Sequence, residues 1–260
     1  MPDSTHLVTP AQRKWLPWLT AVGFFMQTLD GTILNTALPS MAEALGESPL
    51  QMQSVIIAYM LTVALLIPAS GWLADRFGTR RVYLAAILLF TLGSLACAAA
   101  NTLPMLVAAR VLQGVGGALL MPIGRLAVLR VYSKHELLRV MSFVTIPGLL
   151  GPLMGPALGG WLVEVASWHW VFLINLPVGV LGFIASWYFM PDLRQHTARF
   201  DWQGFVLFSV GMVLVSVGLQ GLGEHSISTG WALFALLFGL AAMASYWLYA
   251  ATVAQPLFSL

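Results

Sequence analysis

The chain has 260 residues, of which 59% are hydrophobic and only 8% charged, with a formal net charge of +2. A soluble domain carries about 25% charged residues, so this chain cannot keep its surface wet, and its solvent is lipid. The small net charge gives no sign of a nucleic-acid surface, and the single cysteine, Cys97, excludes a disulfide framework or a thiolate metal site.

The polar stretch Met1 to Gln12 leads into an apolar run too long for a signal-peptide core and without a small-residue cleavage site, so the first span is expected to be retained. A membrane-crossing helix needs about 20 mostly apolar residues. Eight runs qualify, at about 15–38, 52–74, 82–100, 104–124, 140–163, 168–190, 202–222 and 229–252. Pro, Gly, Asn or charge marks the breaks, as at Leu38-Pro39, Gly46 to Pro49, Asn101 to Pro104 and Pro191-Asp192. An open sheet cannot sit in lipid with unpaired edges, so the runs predict an all-α integral membrane protein.

The charges alternate with the spans. Arg13 and Lys14 precede the first, and Arg76, Arg80 and Arg81 follow the second. Arg125, Arg130, Lys134 and Arg139 separate the fourth from the fifth, and Arg194 and Arg199 the sixth from the seventh. The opposite loops hold Glu43, Glu47, Glu164 and Glu224 and no Lys or Arg. Eleven of twelve basic residues therefore fall on one side, which the positive-inside rule assigns to the cytoplasm together with both termini. Trp15, Trp18, Trp168, Trp170, Trp202 and Trp231 lie near span ends and read as interfacial anchors.

The twelfth basic residue, Arg110, lies inside the fourth span, and Asp30 lies inside the first. A charge in a bilayer is costly unless paired, hydrated or neutralised. At 1.5 Å per residue, Asp30 is about 12 Å and Arg110 about 9 Å from the outer ends of their helices, so the two can pair. Burial then favours the protonated carboxyl and the arginine favours the ionised one, a balance that a change in water access can tip. A fixed ion pair or a polar packing contact is the alternative reading of Asp30.

In the fifth span Gly148, Gly151, Gly155 and Gly159 share one helix face, where a neighbouring backbone can come close. Pro152 and Pro156 lack the amide hydrogen and bend the helix. Such a face serves either as a static packing surface or as a sliding seal. Met26, Gln27, Tyr59, Met60 and Gln113 are weak candidates for lining a substrate cavity, because Met and aromatic side chains adapt in shape, while each also suits packing or a lipid-facing position. Five histidines have no metal-ligand spacing, with His6, His196 and His225 reading as solvated. No H-E-x-x-H pair or nucleophile elbow appears, and Gly114-Val115-Gly116-Gly117 lies inside a span, so no enzyme chemistry, metal or cofactor is expected.

Several of these segments resemble one family. Gly71-Trp72-Leu73-Ala74-Asp75-Arg76-Phe77-Gly78-Thr79-Arg80-Arg81 is similar to the tight turn between helices two and three of the major facilitator superfamily, G-x-L-a-D-r-x-G-r-k, with Thr79 where a basic residue is usual. Leu29 to Pro39 resembles the first-helix motif of the fourteen-span drug:proton antiporter branch, l-D-x-T-i-v-n-x-A-l-P. Leu106, Arg110, Gln113, Gly114 and Gly116 match its fourth-helix motif, whose arginine is tied to proton transfer in that family. Gly151-Pro152-Leu153-Met154-Gly155-Pro156-Ala157-Leu158-Gly159-Gly160 resembles the antiporter motif g-x-x-x-G-P-x-x-G-G. The run from Trp168 to Gly179 looks like a further feature of the branch, with His169 where an arginine is frequent.

The resemblance implies a six-helix bundle over residues 1–190, with a 3+3 inverted repeat, and two additional helices over 191–260. Pro68 to Asp75 and Pro156 to Glu164, similar segments three spans apart and opposite in direction, fit such a repeat, with chance similarity among common membrane residues as the alternative. It also implies proton coupling through Asp30 and Arg110, a cytoplasmic gate at Gly71, Asp75, Arg76, Gly78, Arg80 and Arg81, and a bacterial inner-membrane location. The implied activity is proton-driven efflux of small drug-like amphiphiles. A major facilitator needs two six-helix halves, so this length predicts a truncated member, active with a second half or a second copy of itself. A non-transporting membrane fragment or interaction partner is the alternative.

Overall fold

The computed structural model describes residues 8–195, 200–224 and 228–252. Arg199, His6, His196, His225 and the segment 255–260 lie outside the described residues, as does the side chain of Glu224. Ten α-helices follow one another among the described residues: α1 (Pro10–Leu45), α2 (Pro49–Leu66), α3 (Ser70–Phe77), α4 (Thr79–Ala98), α5 (Leu103–Val131), α6 (Lys134–Val165), α7 (Trp170–Leu173), α8 (Asn175–Phe189), α9 (Trp202–Glu224) and α10 (Thr229–Ala250).

One local device starts three of the long helices. The side chains of Thr9 before α1 and Ser48 before α2 receive the amide hydrogen of a residue three positions on, Gln12 and Gln51, whose side chain reaches back, and before α6 the amide and hydroxyl of Ser133 donate to the carboxylate of Glu136. Pro10, Pro49 and Pro104 stand in the first turns, where a missing amide hydrogen leaves nothing unpaired. Gly46 ends α1 in the left-handed region, at φ 67°.

The spans differ from the apolar runs at their ends. Leu38-Pro39 is not a break, and α1 runs through it to Leu45. A proline within a packed helix frees one carbonyl and bends the rod without stopping it. The second span is two helices, α2 and α3, joined by a 3-10 turn at Ile67–Ala69 that contains Pro68. The sixth is α7 and α8, because the ring of Pro177 conflicts with the carbonyl four residues back, at Leu173. The stretch Gly71 to Arg81 is helical as far as Phe77, and the turn itself is the single residue Gly78, at φ 91°.

Seven of the helical segments are long and apolar enough to cross a membrane, with Pro49–Phe77 and Trp170–Phe189 each taken as one. The remaining long helix, α1, has the length, about 54 Å at 1.5 Å per residue, but carries Gln27, Thr28, Asp30, Thr32, Asn35 and Thr36. It tolerates them because it packs against α2, α5, α6, α7 and α8. Trp168 is buried among Phe172 and His169 and is not an interfacial anchor.

The helix α5 packs against α4, α2 and α1, and α1 packs along α6. The last two helices pair with each other, and α9 also touches α2. The buried apolar side chains form two layers. One contains Leu16 and Met26 of α1, Tyr83 and Phe90 of α4, and Leu120 and Ile123 of α5. The other contains Ile33 and Met41 of α1, Cys97 of α4, Leu106 of α5 and Phe172 of α7. Asp30, Ser94 and Arg110 fall between them along their helices, so the buried charges occupy a polar belt between two apolar slabs.

Candidate functional site: a buried ion pair between two apolar layers

The Asp30 carboxylate and the Arg110 guanidinium meet at 2.6 Å, each side chain only 1% exposed. Burying two charges is repaid only when every remaining lone pair and proton also finds a partner. Here they do. The second Asp30 oxygen accepts from Gln113 Nε2 at 2.8 Å and from Asn175 Nδ2 at 3.1 Å. The Arg110 Nη1 also donates to Gln113 Oε1 at 2.7 Å, and its Nε to the Val55 carbonyl at 3.4 Å. Ser94 Oγ accepts from Gln113 and Asn175 and donates to the Phe172 carbonyl at 2.9 Å. The Tyr59 ring lies 4.1 Å from the guanidinium carbon, a cation–π contact. The cluster thus joins α1, α2, α4, α5, α7 and α8 at one depth.

Close backbone packing brings these groups together. A Cβ on Gly93 of α4 would lie 2.5 Å from the Gln113 amide nitrogen, so only glycine lets α4 and α5 approach there. On the other side of α5, a Cβ on Gly114 would lie 3.2 Å from the Tyr59 carbonyl of α2. The glycines of α6 do the same for α1. Gly148, Gly151, Gly155 and Gly159 face Phe24, Thr28, Thr32 and Thr36, and a Cβ on Gly155 would sit 3.0 Å from the Ile33 amide. Thr32 Oγ1 donates to the Gly151 carbonyl at 3.3 Å. Gly160 has open space around it and is not part of this contact, and Pro152 and Pro156 are exposed on the other side of α6.

The expected cavity residues scatter. Gln113 is part of the ion-pair network, and Met26 lines an apolar cavity of about 350 Å³ shared by α1, α4, α5 and α8. Met60 is 59% exposed. The buried Gln27 Oε1 and the Tyr59 hydroxyl have no hydrogen-bond partner among the described residues. Asn175 and Ser94 are the site residues that sequence reasoning did not assign. The available signal was an amide and a hydroxyl inside long apolar runs, and it did not say which helix face they occupy.

The residues read as a gate lie at the basic end of the bundle. Asp75 pairs with Arg130 at the end of α5. Arg80 reaches Trp187 of α8, donating to its carbonyl with the guanidinium near the indole ring. Arg76 and Arg81 are exposed, and a Cβ on Gly71 would meet open space. The departure at Thr79 has a structural counterpart. Thr79 is fully buried, its hydroxyl donates to the Pro191 carbonyl at 2.7 Å, and its amide donates to the Leu193 carbonyl at 3.1 Å. Arg13 pairs with Glu136 at 2.6 Å at the same end.

A bundle of membrane-length helices with an ion pair buried between its apolar layers has the marks of a membrane protein with a functional intramembrane site, since such charges are costly and mark ion and substrate paths. The comparisons agree. The chain belongs to the Major Facilitator Superfamily, which residues 20–258 match. A protein of Pectobacterium atrosepticum named "Putative multidrug resistance protein MdtD" is 55% identical over 98% of this chain and 54% of its own length. Proteins of the same name from Serratia proteamaculans and Klebsiella pneumoniae are each 54% identical over 96% of this chain, covering 52% and 53% of their own lengths. The chain therefore spans about half the length of the curated relatives it matches. Among solved structures, the peptide transporter POT in complex with sulfate superposes with a TM-score of 0.68 at 18% identity, covering 96% of this chain and 56% of that one. The POT family transporter PepTSo gives a TM-score of 0.63 at 16% identity, over 95% and 55%. At these identities the likeness is one of fold.

Proposed function

We propose that this chain is the proton-coupling part of a multidrug efflux transporter of the inner membrane, with both termini cytoplasmic and residues 1–190 forming the transporting bundle. The observation that carries the reading is the fully buried Asp30–Arg110 pair, held by Gln113, Asn175, Ser94 and Tyr59. Protonation of Asp30 removes the charge that Arg110 faces. The arginine keeps Gln113 Oε1, the Val55 carbonyl and the Tyr59 ring, while Asp30 exchanges an acceptor for a donor. The contacts that must change are those of α1 with its neighbours, and the smooth glycine face of α6 lies along α1 to accommodate a shift. Asp75 and Arg130, with Arg76, Gly78, Arg80 and Arg81 around them, serve as the cytoplasmic latch. The named relatives support drug-like amphiphiles as the substrate class.

The test is dye efflux in a strain stripped of efflux pumps. The chain is expressed together with the part of the P. atrosepticum relative that it does not cover, with and without Asp30→Asn. Loss of proton-driven efflux in the variant is the expected outcome. Undiminished efflux removes Asp30 from the mechanism.

A further inference from the structure

The starts of α1 and α6 enclose a cleft of about 490 Å³, lined among others by Lys14, His135, Arg139, Trp18 and Phe143. This volume is in the range of ligand sites. Its charges are not balanced from within. The one carboxylate, Glu136, is engaged by Arg13 at 2.6 Å and by the Ser133 hydroxyl at 2.7 Å. Lys14, His135 and Arg139 are exposed and have no hydrogen-bond or ion-pair partner among the described residues. The cleft is therefore a basic pocket, at the end of the bundle where the other basic residues gather.

The wall of this pocket is apolar and continues. Trp18 packs edge-on against Phe143 with ring centroids 4.8 Å apart. Trp18 also lines the neighbouring cavity of about 350 Å³, whose other walls include Val22, Leu181 and Ala185. Trp18 is 53% exposed, Val22 36% and Leu181 69%, so this second cavity opens on the outer face of the bundle. A basic pocket joined through one tryptophan to an apolar crevice presents, side by side, the two environments that a membrane lipid requires. Basic pockets between membrane helices on the cytoplasmic side hold anionic headgroups.

We propose that the cleft between the starts of α1 and α6 is a binding site for an anionic phospholipid. The headgroup phosphate lies among Lys14, His135 and Arg139, and one acyl chain lies in the apolar cavity on the other side of Trp18. The charge complementarity of the pocket chooses this occupant over a zwitterionic lipid, and the adjoining crevice chooses it over a free anion. The site uses none of the ion-pair residues and stands whether or not the chain transports.

The test follows thermal unfolding of the purified 260-residue chain in dodecyl maltoside, read by a thiol-reactive dye on Cys97, the single cysteine, which is fully buried. Dioleoylphosphatidylglycerol is expected to raise the midpoint saturably, and dioleoylphosphatidylcholine or inorganic phosphate to leave it unchanged. Lys14→Gln/Arg139→Gln, which alters two exposed side chains, should raise the half-saturating lipid concentration about tenfold or more. Arg125→Gln, an exposed cation outside the cleft, should not. Equal responses to the two lipids, an unchanged half-saturation in the double variant, or an equal loss in Arg125→Gln would overturn the proposal. A midpoint shift with inorganic phosphate alone would reduce the site to a free-anion pocket and overturn the lipid assignment.

Discussion

Thr79 and Leu193 exchange two hydrogen bonds, the Thr79 amide to the Leu193 carbonyl at 3.1 Å and the Leu193 amide to Thr79 Oγ1 at 3.0 Å. The segment that leaves α8 is thereby tied to the first residue of α4, next to the Asp75–Arg130 pair. Thr79→Val keeps the shape and strands the Pro191 carbonyl and the Leu193 amide. An unsatisfied buried group costs about 1–3 kcal/mol. The expected result is faster limited proteolysis between residues 190 and 195, with no change in cleavage elsewhere. Equal rates would show that the tie does not restrain the segment.

The buried pair predicts non-additive stabilities. Breaking a buried ion pair by removing one partner costs about 3–5 kcal/mol, whereas replacing both by apolar groups of similar size is often near neutral. Asp30→Leu and Arg110→Met should therefore each lower the unfolding midpoint more than the double variant does. Additive losses would mean that the charges do not sense each other. Asp30→Asn should be the mildest single change, because its amide oxygen still accepts from Arg110.

Two neighbouring glycines predict opposite outcomes. Gly155→Val drives two methyl groups into Thr32 and the Ile33 amide, and overpacking of this kind costs about 1–3 kcal/mol. Gly160→Ala meets open space and gains up to about 1 kcal/mol from helix propensity. Thermal midpoints of the two variants check the pair of signs. A tolerated Gly155→Val would show that α1 and α6 already stand apart in solution.

Tyr59 separates ring from hydroxyl. Its ring faces Arg110, and its buried hydroxyl has no hydrogen-bond partner among the described residues. Tyr59→Phe should leave stability unchanged or slightly raise it. Tyr59→Leu should lower it by about 2 kcal/mol through loss of the cation–π contact and of packing. A destabilised Tyr59→Phe protein would mean that the hydroxyl has a partner in the membrane.

The pairing of Asp30 with Arg110 was legible before any coordinates, because two opposite charges inside apolar spans each need a partner, but the depth reckoning was not sound, since it takes Leu38 as the end of a helix that runs to Leu45. What rotation each rod takes was not legible. For that reason Gln113 read as a cavity residue and belongs to the ion-pair network, and Asn175 and Ser94 went unassigned. The glycine face of α6 was readable from its spacing, but its partner α1 was not, since nothing in Gly151 or Gly155 names Thr28 or Thr32. Proline misled in both directions. Pro39 lies within α1 without ending it, while Pro68 and Pro177 interrupt spans that looked continuous. Local chemistry states where a backbone bond is missing, and neighbouring helices decide whether the rod survives it.

The polar content of α1 also bears on how the protein is made. Asp30 and Arg110 are 80 residues apart in the chain, and at about 5–20 residues per second a ribosome takes about 4–16 s to cover that distance. Throughout that interval α1 has left the ribosome with a carboxylate and no counter-charge. The helix least suited to lipid is thus made before the one that balances its charge, and its settled place in the bilayer depends on a residue not yet synthesised. Asp30 has to wait at the membrane surface, stay protonated, or be sheltered by the insertion machinery until α5 arrives.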